Sequence, residues 1–164
     1  MRHDKVRDNS FPFSWYPGFS SSVKSILMLF LWLLPVAECT AGSLKTPEED
    51  TGYSLALLEQ INLYRKENGL NRLQFDRTLA QLAKSHSLDM YQKQRMSHDD
   101  FEARFRQAGS NLCVENVGWN YSSPAQMFDG WRRSSGHNQN MLKQGVTRAG
   151  IVEIGTYVTY FACK

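Results

Sequence analysis

The stretch AGIVEIGTYVTYFA, residues 149–162, places two runs rich in Val, Ile, Tyr and Thr on either side of Gly155-Thr156. Such residues favour extended backbone, and a Gly-X pair between two runs suits a tight two-residue turn. The expectation is a β-hairpin with strands over 149–154 and 157–162. Residues 113–119, CVENVGW, alternate as a strand would and supply a third.

The segments upstream follow a different period. Leu57, Leu58, Ile61 and Tyr64 recur at helical spacing over 53–68, and Asn68-Gly69 provides a left-handed stop. Leu73 and Phe75 flank Gln74 as a brief extended piece. Asp76 then caps a second helix with the inner stripe Leu79, Leu82, Ala83, His86 and Met90. On that stripe His86 reads as a core histidine needing one or two hydrogen-bond partners, rather than as a ligand. Ser97-His98-Asp99-Asp100 resembles a capping box with Asp in place of Glu, opening a short helix that buries Phe101, Phe105 and Ala108 before Gly109. Ser123, Pro124 and Gln126 form a second box, for a helix whose inner edge is Met127 and Trp131. Ser134-Ser135-Gly136 interrupts it, and 137–142 fit one or two more turns. Helices that precede and interrupt a small antiparallel sheet must cover its faces, so the expected class is a layered α+β domain.

At 164 residues, 41% hydrophobic and 21% charged, the chain reads as one globular domain plus an appendage. The net charge of +3 comes without a Lys/Arg block, so nucleic acid is not an expected partner. The appendage holds ILMLFLWLLPVA, residues 26–37 after Lys24. About a dozen apolar residues is the core length of an export signal, short of the roughly 20 that span a bilayer. Residues 1–41 are therefore expected to be an export signal with a long leading region, removed on secretion. Residues 42–52 follow as a polar leader and 53–164 as the domain, in a secreted or periplasmic protein. Pro35 and the small residues Ala37, Thr40, Ala41 and Gly42 weigh against a retained anchor, and Glu38 weighs against a lipid on Cys39. Those two routes are the expected forms of membrane contact. Cleavage after Cys39 or Ala41 leaves Cys113 and Cys163, an even pair that an oxidising compartment would join. The rival reading makes Cys113 a nucleophile with His137 as its base.

The chain carries no G-x-S-x-G elbow, H-E-x-x-H helix, phosphate loop or C-x-x-C pair, so the enzyme classes built on them lose support. What remains is dispersed: His98 after a serine, Glu115-Asn116 in an apolar strand, and Gly136-His137 after a helix break. Two imidazoles and a carboxylate could hold Zn²⁺ with an open position, or act as acid and base, if the fold brings them together.

Taken in order, LLEQINLYRKENGL, LQFDRTLAQLAKSHSLDM, MSHDDF, VENVGWN and GWRRSSGHNQNML resemble the CAP superfamily of cysteine-rich secretory, antigen five and pathogenesis-related one proteins, from Leu57 to Cys163. The short W-x-x-S-x-G-H-x-x-N form is similar to its bacterial type. The resemblance implies a three-layer α-β-α sandwich with a surface cleft lined here by His98, Glu115 and His137. It makes Asn116 and Asn140 structural residues that hydrogen-bond loop backbone. Two departures stand out. Val114 replaces a glycine, and Trp131 is followed by Arg132, Arg133 and Ser134, where many eukaryotic members carry a second acidic residue.

The expected function is an extracellular or periplasmic binding or effector module, with a lipid, a protein or another extracellular ligand as partner. No cofactor is required, and weak Zn²⁺ binding would use His98, His137 and Glu115. The alternatives are a metal-assisted peptidase in the same cleft, a structural envelope protein, and a sterol or fatty-acid binder. The last would use Trp119, Tyr121 and Trp131 as groove walls, positions that otherwise read as core.

Overall fold

The protein is described here by a computed structural model covering residues 51–164; the expected export signal and the expected leader up to residue 50 lie outside the described residues. The elements in chain order are α1 (Thr51–Glu67), β1 (Gln74–Phe75), α2 (Arg77–Lys93), α3 (Phe101–Gln107) and β2 (Cys113–Trp119). They continue with α4 (Pro124–Arg133), α5 (Ser135–Met141), β3 (Arg148–Ile154) and β4 (Tyr157–Cys163). The first helix starts at Thr51, so the last two residues of the expected leader belong to it.

The hairpin lies at the centre of the sheet, whose order is β1-β3-β4-β2. Ile154 pairs with Tyr157, and Gly155 makes the turn at φ 62, where a Cβ would also strike the Tyr91 ring. The sheet is mixed rather than purely antiparallel, because the brief piece at Gln74–Phe75 runs parallel to β3. Backbone bonds from Gln74 to the Thr147 carbonyl and from Asp76 to that of Ala149, both 2.9 Å, hold it there. Two residues are too few for periodicity to reveal a direction of pairing.

Strand alternation sorts the core into two halves. Val114, Ile151, Val158 and Tyr160 pack with Leu57 and Ile61 of α1 and Met127 and Trp131 of α4. Val152, Ile154 and Phe161 face the other way, against Leu79, Ala80 and Ala83 of α2. The result is the expected α-β-α layering. Its contact on the α2 side needs Gly150, where an added Cβ would sit 2.1 Å from the Ala80 backbone nitrogen.

Cys113 and Cys163 are directly opposed on β2 and β4 and form a disulfide, with Cα atoms 4.1 Å apart. The thiol that a Cys113 nucleophile would need is therefore consumed. A spacing this close marks a pair that exchanges no ladder hydrogen bonds. By the two-residue repeat, Glu115 and Val117 also turn their peptide groups away from β4, toward the open edge of the sheet. That geometry sets up the site described below.

Helix starts follow the sequence at two of three places. Asp76 accepts from the Leu79 amide at 2.9 Å and caps α2. Ser123 accepts from the Gln126 amide at 3.3 Å, but the Gln126 side chain reaches one residue further back, to the Ser122 hydroxyl at 2.7 Å. The box at 97–100 does not form. Asp100 sits in the left-handed region at φ 59 and makes no side-chain cap, while the Ser97 hydroxyl accepts from the Asp99 amide at 3.3 Å. The box would make Ser97 the N-cap and place Asp100 in the first helical turn, but the helix begins only at Phe101 and Asp100, left-handed, stands before it. The buried residue of α3 is Arg104; Phe101, Phe105 and Ala108 are only half-buried. Another buried cation, Arg65 of α1, donates to the carbonyls of Asn71, Met141, Lys143 and Val146 and so ties the chain after α5 to the first helix.

Candidate functional site

Glu115 points from β2 toward α2 and α3 and is only 4% exposed. A buried carboxylate survives only when its charge is matched and its lone pairs are filled. Here Arg104 donates Nε to Oε2 at 2.7 Å and Nη2 to Oε1 at 2.9 Å. His98 adds Nδ1 to Oε1 at 2.9 Å. Burial alone would raise the pKa of Glu115, but the hydrogen bonds from His98 and Arg104 and the Arg104 charge outweigh it, and the pKa is lowered. Glu115 is thus ionised and acts only as an acceptor.

His98 precedes α3 and its side chain is half exposed beyond the buried carboxylate. His86 is buried on α2, as its place on the apolar stripe implies, yet its partners belong to this same cluster. Its Nε2 donates to the Ser97 carbonyl at 2.8 Å and lies 3.8 Å from Glu115 Oε1. Burial is the largest influence on His86 and lowers its pKa, keeping the imidazole neutral near pH 7.

His137 comes from the opposite side of β2, on the first turn of α5, with its ring 6.3 Å from that of Trp131. Burial first and the charge of His98 second lower its pKa, so the two imidazoles sense each other electrostatically. Its helix is fastened to the strand edge by two asparagines. Asn116 Nδ2 donates to the His137 carbonyl at 3.0 Å, and Asn140 Nδ2 donates at 2.9 Å to both the Glu115 carbonyl and Asn116 Oδ1. Trp131 Nε1 takes the next outward carbonyl, Val117, at 3.0 Å. The carbonyls of Glu115 and Val117 on this edge are therefore capped by side chains from α4 and α5, which satisfies groups that a sheet edge otherwise leaves open. Asn140 binds strand backbone rather than loop backbone.

A cavity of about 250 Å³ adjoins His137, with Trp119, Tyr121, Trp131 and Met96 among its walls. Trp131 is 2% exposed and is core as well as wall, whereas Trp119 is 50% exposed and stacks on Tyr157.

Among the described residues, no three His, Cys, Asp or Glu side chains stand close enough together to hold a metal ion. Both oxygens of Glu115 are already engaged, so it does not fit as the direct ligand expected from the sequence. Of the two imidazoles, His98 has its Nδ1 taken by Glu115, which orients its ring, and His137 lines the aromatic cavity. Arg104 and His86 are the cluster members that sequence reading did not assign to the site. For Arg104 a signal existed: it shares the 101, 104, 105, 108 stripe of α3 with Phe101 and Ala108, the face turned inward.

Residues 58–163 match the family model described as the Cysteine-rich secretory protein family, CAP. Among curated proteins, the chain is 28% identical over 137 residues to "Uncharacterized protein YkwD" of Bacillus subtilis, covering 75% of this chain and 51% of the relative. It is 29% identical over 107 residues to "Uncharacterized membrane protein YlbC" of the same organism, covering 58% and 30%. The chain thus spans about half the length or less of these relatives. Among solved structures, an extracellular protein containing an SCP domain from Bacillus anthracis superposes with a TM-score of 0.65 at 25% identity, covering 69% of this chain and 40% of that one. An outer surface protein of Borrelia burgdorferi gives 0.63 at 20% identity, covering 67% and 90%, and shares the fold.

Proposed function

This chain belongs to the Cysteine-rich secretory protein family, CAP, and we propose that it works outside the cytoplasm as a binding module whose cleft offers His98 and His137 to a ligand. The observation that carries this reading is the state of Glu115. Its carboxylate is buried, ionised and hydrogen-bonded by Arg104 and His98. A carboxylate so engaged is a poor general base, because taking a proton would break the pair that keeps it buried. With Glu115 withdrawn from the chemistry, two imidazoles make a weak divalent-metal site, short of the three protein ligands of a catalytic zinc. This favours binding over peptide hydrolysis.

Titration calorimetry with Zn²⁺ on the wild type and on His98→Ala/His137→Ala, beside a broad peptide-library assay, tests the reading. The expected result is weak binding in the wild type, loss of at least about tenfold in affinity in the double variant, and no cleavage by either. Equal affinity in both would overturn the metal site, and zinc-dependent cleavage lost in the variant would install the peptidase instead. The aromatic cavity beside His137 favours a second reading, an apolar ligand seated against Trp119 and Tyr121.

Export is supported by the signal-like segment and by extracellular and outer-surface structural neighbours. No helix among the described residues is long and apolar enough to cross a membrane. Intact mass of the native protein is expected to place the mature start between Thr40 and Ser43 with Cys113 and Cys163 oxidised. A chain retaining residues 1–38, or with both thiols free, would be the contrary result.

A further inference from the structure

We propose that Arg104 is a positioning residue which, with His86, clamps the segment around His98 so that this histidine is held with its proton on Nδ1 and Nε2 bare for a ligand. The inference deepens the binding-module reading and rests on it only for the identity of the ligand.

A guanidinium carries five N–H donors in a fixed planar fork, so one arginine can bind two acceptors in a set relative orientation. Arg104 uses the fork in this way. Nε and Nη2 grip the Glu115 carboxylate, and Nη1 donates at 2.7 Å to the carbonyl of Asp99, the residue after His98. On the other side, His86 Nε2 donates to the carbonyl of Ser97, the residue before it. Both clamps are buried, Arg104 at 6% and His86 at 3% exposed, while His98 between them reaches outward. The backbone carbonyls on either side of His98 are thus held from α3 and α2.

The same arginine decides the state of the imidazole. Its Nε and Nη2 donate to both oxygens of Glu115, and a carboxylate paired in this way with a guanidinium is an acceptor. The 2.9 Å contact from His98 Nδ1 therefore requires hydrogen on Nδ1, and a neutral imidazole then has its lone pair on Nε2. Orienting partners of this kind raise the basicity of a ligating histidine and fix its ring, and their loss weakens metal binding by about 10–100-fold.

The test is long-range proton–nitrogen NMR on the metal-free full chain, labelled with ¹⁵N and held above the imidazole titration range, followed by Zn²⁺ titration. Wild-type His98 should show a protonated Nδ1 and a bare Nε2. Arg104→Gln should give a mixture of tautomers and about 10–100-fold weaker Zn²⁺ binding. Arg104→Lys should recover only part of both, since a single ammonium cannot span Glu115 and the Asp99 carbonyl. A lower melting temperature in both variants with unchanged His98 signals would make Arg104 merely structural and overturn the proposal. Should the variants fail to fold, the wild-type spectrum decides: a proton on Nε2, or an even mixture, is fatal. A wild type with the expected tautomer but no Zn²⁺ binding, beside variants that lose that tautomer, leaves the clamp standing and removes the metal reading.

Discussion

Glu115→Leu is expected to cost about 3–5 kcal/mol of folding stability, while adding Arg104→Met to it should return most of that loss. The single change strands a guanidinium whose side chain is 8% exposed beside a site that no longer offers a negative charge. A buried charge that loses its partner keeps its desolvation cost and gives up the compensating attraction. Replacing both partners with apolar side chains of similar volume removes the cost along with the pair. Recovery should stop short of complete by about 1 kcal/mol, because Arg104 also donates to the Asp99 carbonyl. Urea unfolding of the wild type, the single and the double variant measures this. A double variant as unstable as the single would mean that Glu115 stabilises the fold by something other than its pairing.

The pH dependence of that pair has a definite sign. Glu115 has its pKa lowered from 4.5, so in the folded state it stays ionised at a pH where the unfolded chain has begun to take up protons. Its contribution is present above pH 4.5 and is lost as pH falls through the folded value. The stability gap between wild type and Glu115→Leu should narrow in that acid range.

Trp131→Ala is expected to lower stability by about 3–5 kcal/mol, the usual cost of emptying a buried aromatic site. The indole is 2% exposed, packs against Tyr160 and lies among Met127 and the α1 residues of the inner core. It also caps the Val117 carbonyl, so Trp131→Phe should keep part of the packing and lose the hydrogen bond, at about 1 kcal/mol for the bond itself. Thermal and urea unfolding of the two variants separate packing from capping. If Trp131→Ala unfolded like the wild type, the account of α4 as a cover for the sheet edge would be wrong.

The hairpin, the helices and their inner stripes were legible because hydrophobic periodicity and turn chemistry act over a few residues. Asp76 and Ser123 cap helices for the same local reason. The capping box at 97–100 was misread because its residue types were right and the backbone at Asp100 was not. Asp100 lies at φ 59 in a segment whose neighbouring carbonyls are held from outside it, that of Asp99 by Arg104 and that of Ser97 by His86.

By itself the sequence determined an α+β domain, its disulfide partners, its family, and the three residues His98, Glu115 and His137 that the resemblance placed in a cleft. Only the tertiary structure decided what each of them touches. Glu115 is a buried anion held by Arg104 because β2 and α3 meet with those two side chains facing inward. Asn140 and Trp131 became caps because the register of β2 against β4 turns the carbonyls of Glu115 and Val117 outward. The parallel pairing of β1 with β3 was decided in the same way. Contacts between residues distant in the chain depend on register and helix rotation, which side-chain spacing along one segment does not encode.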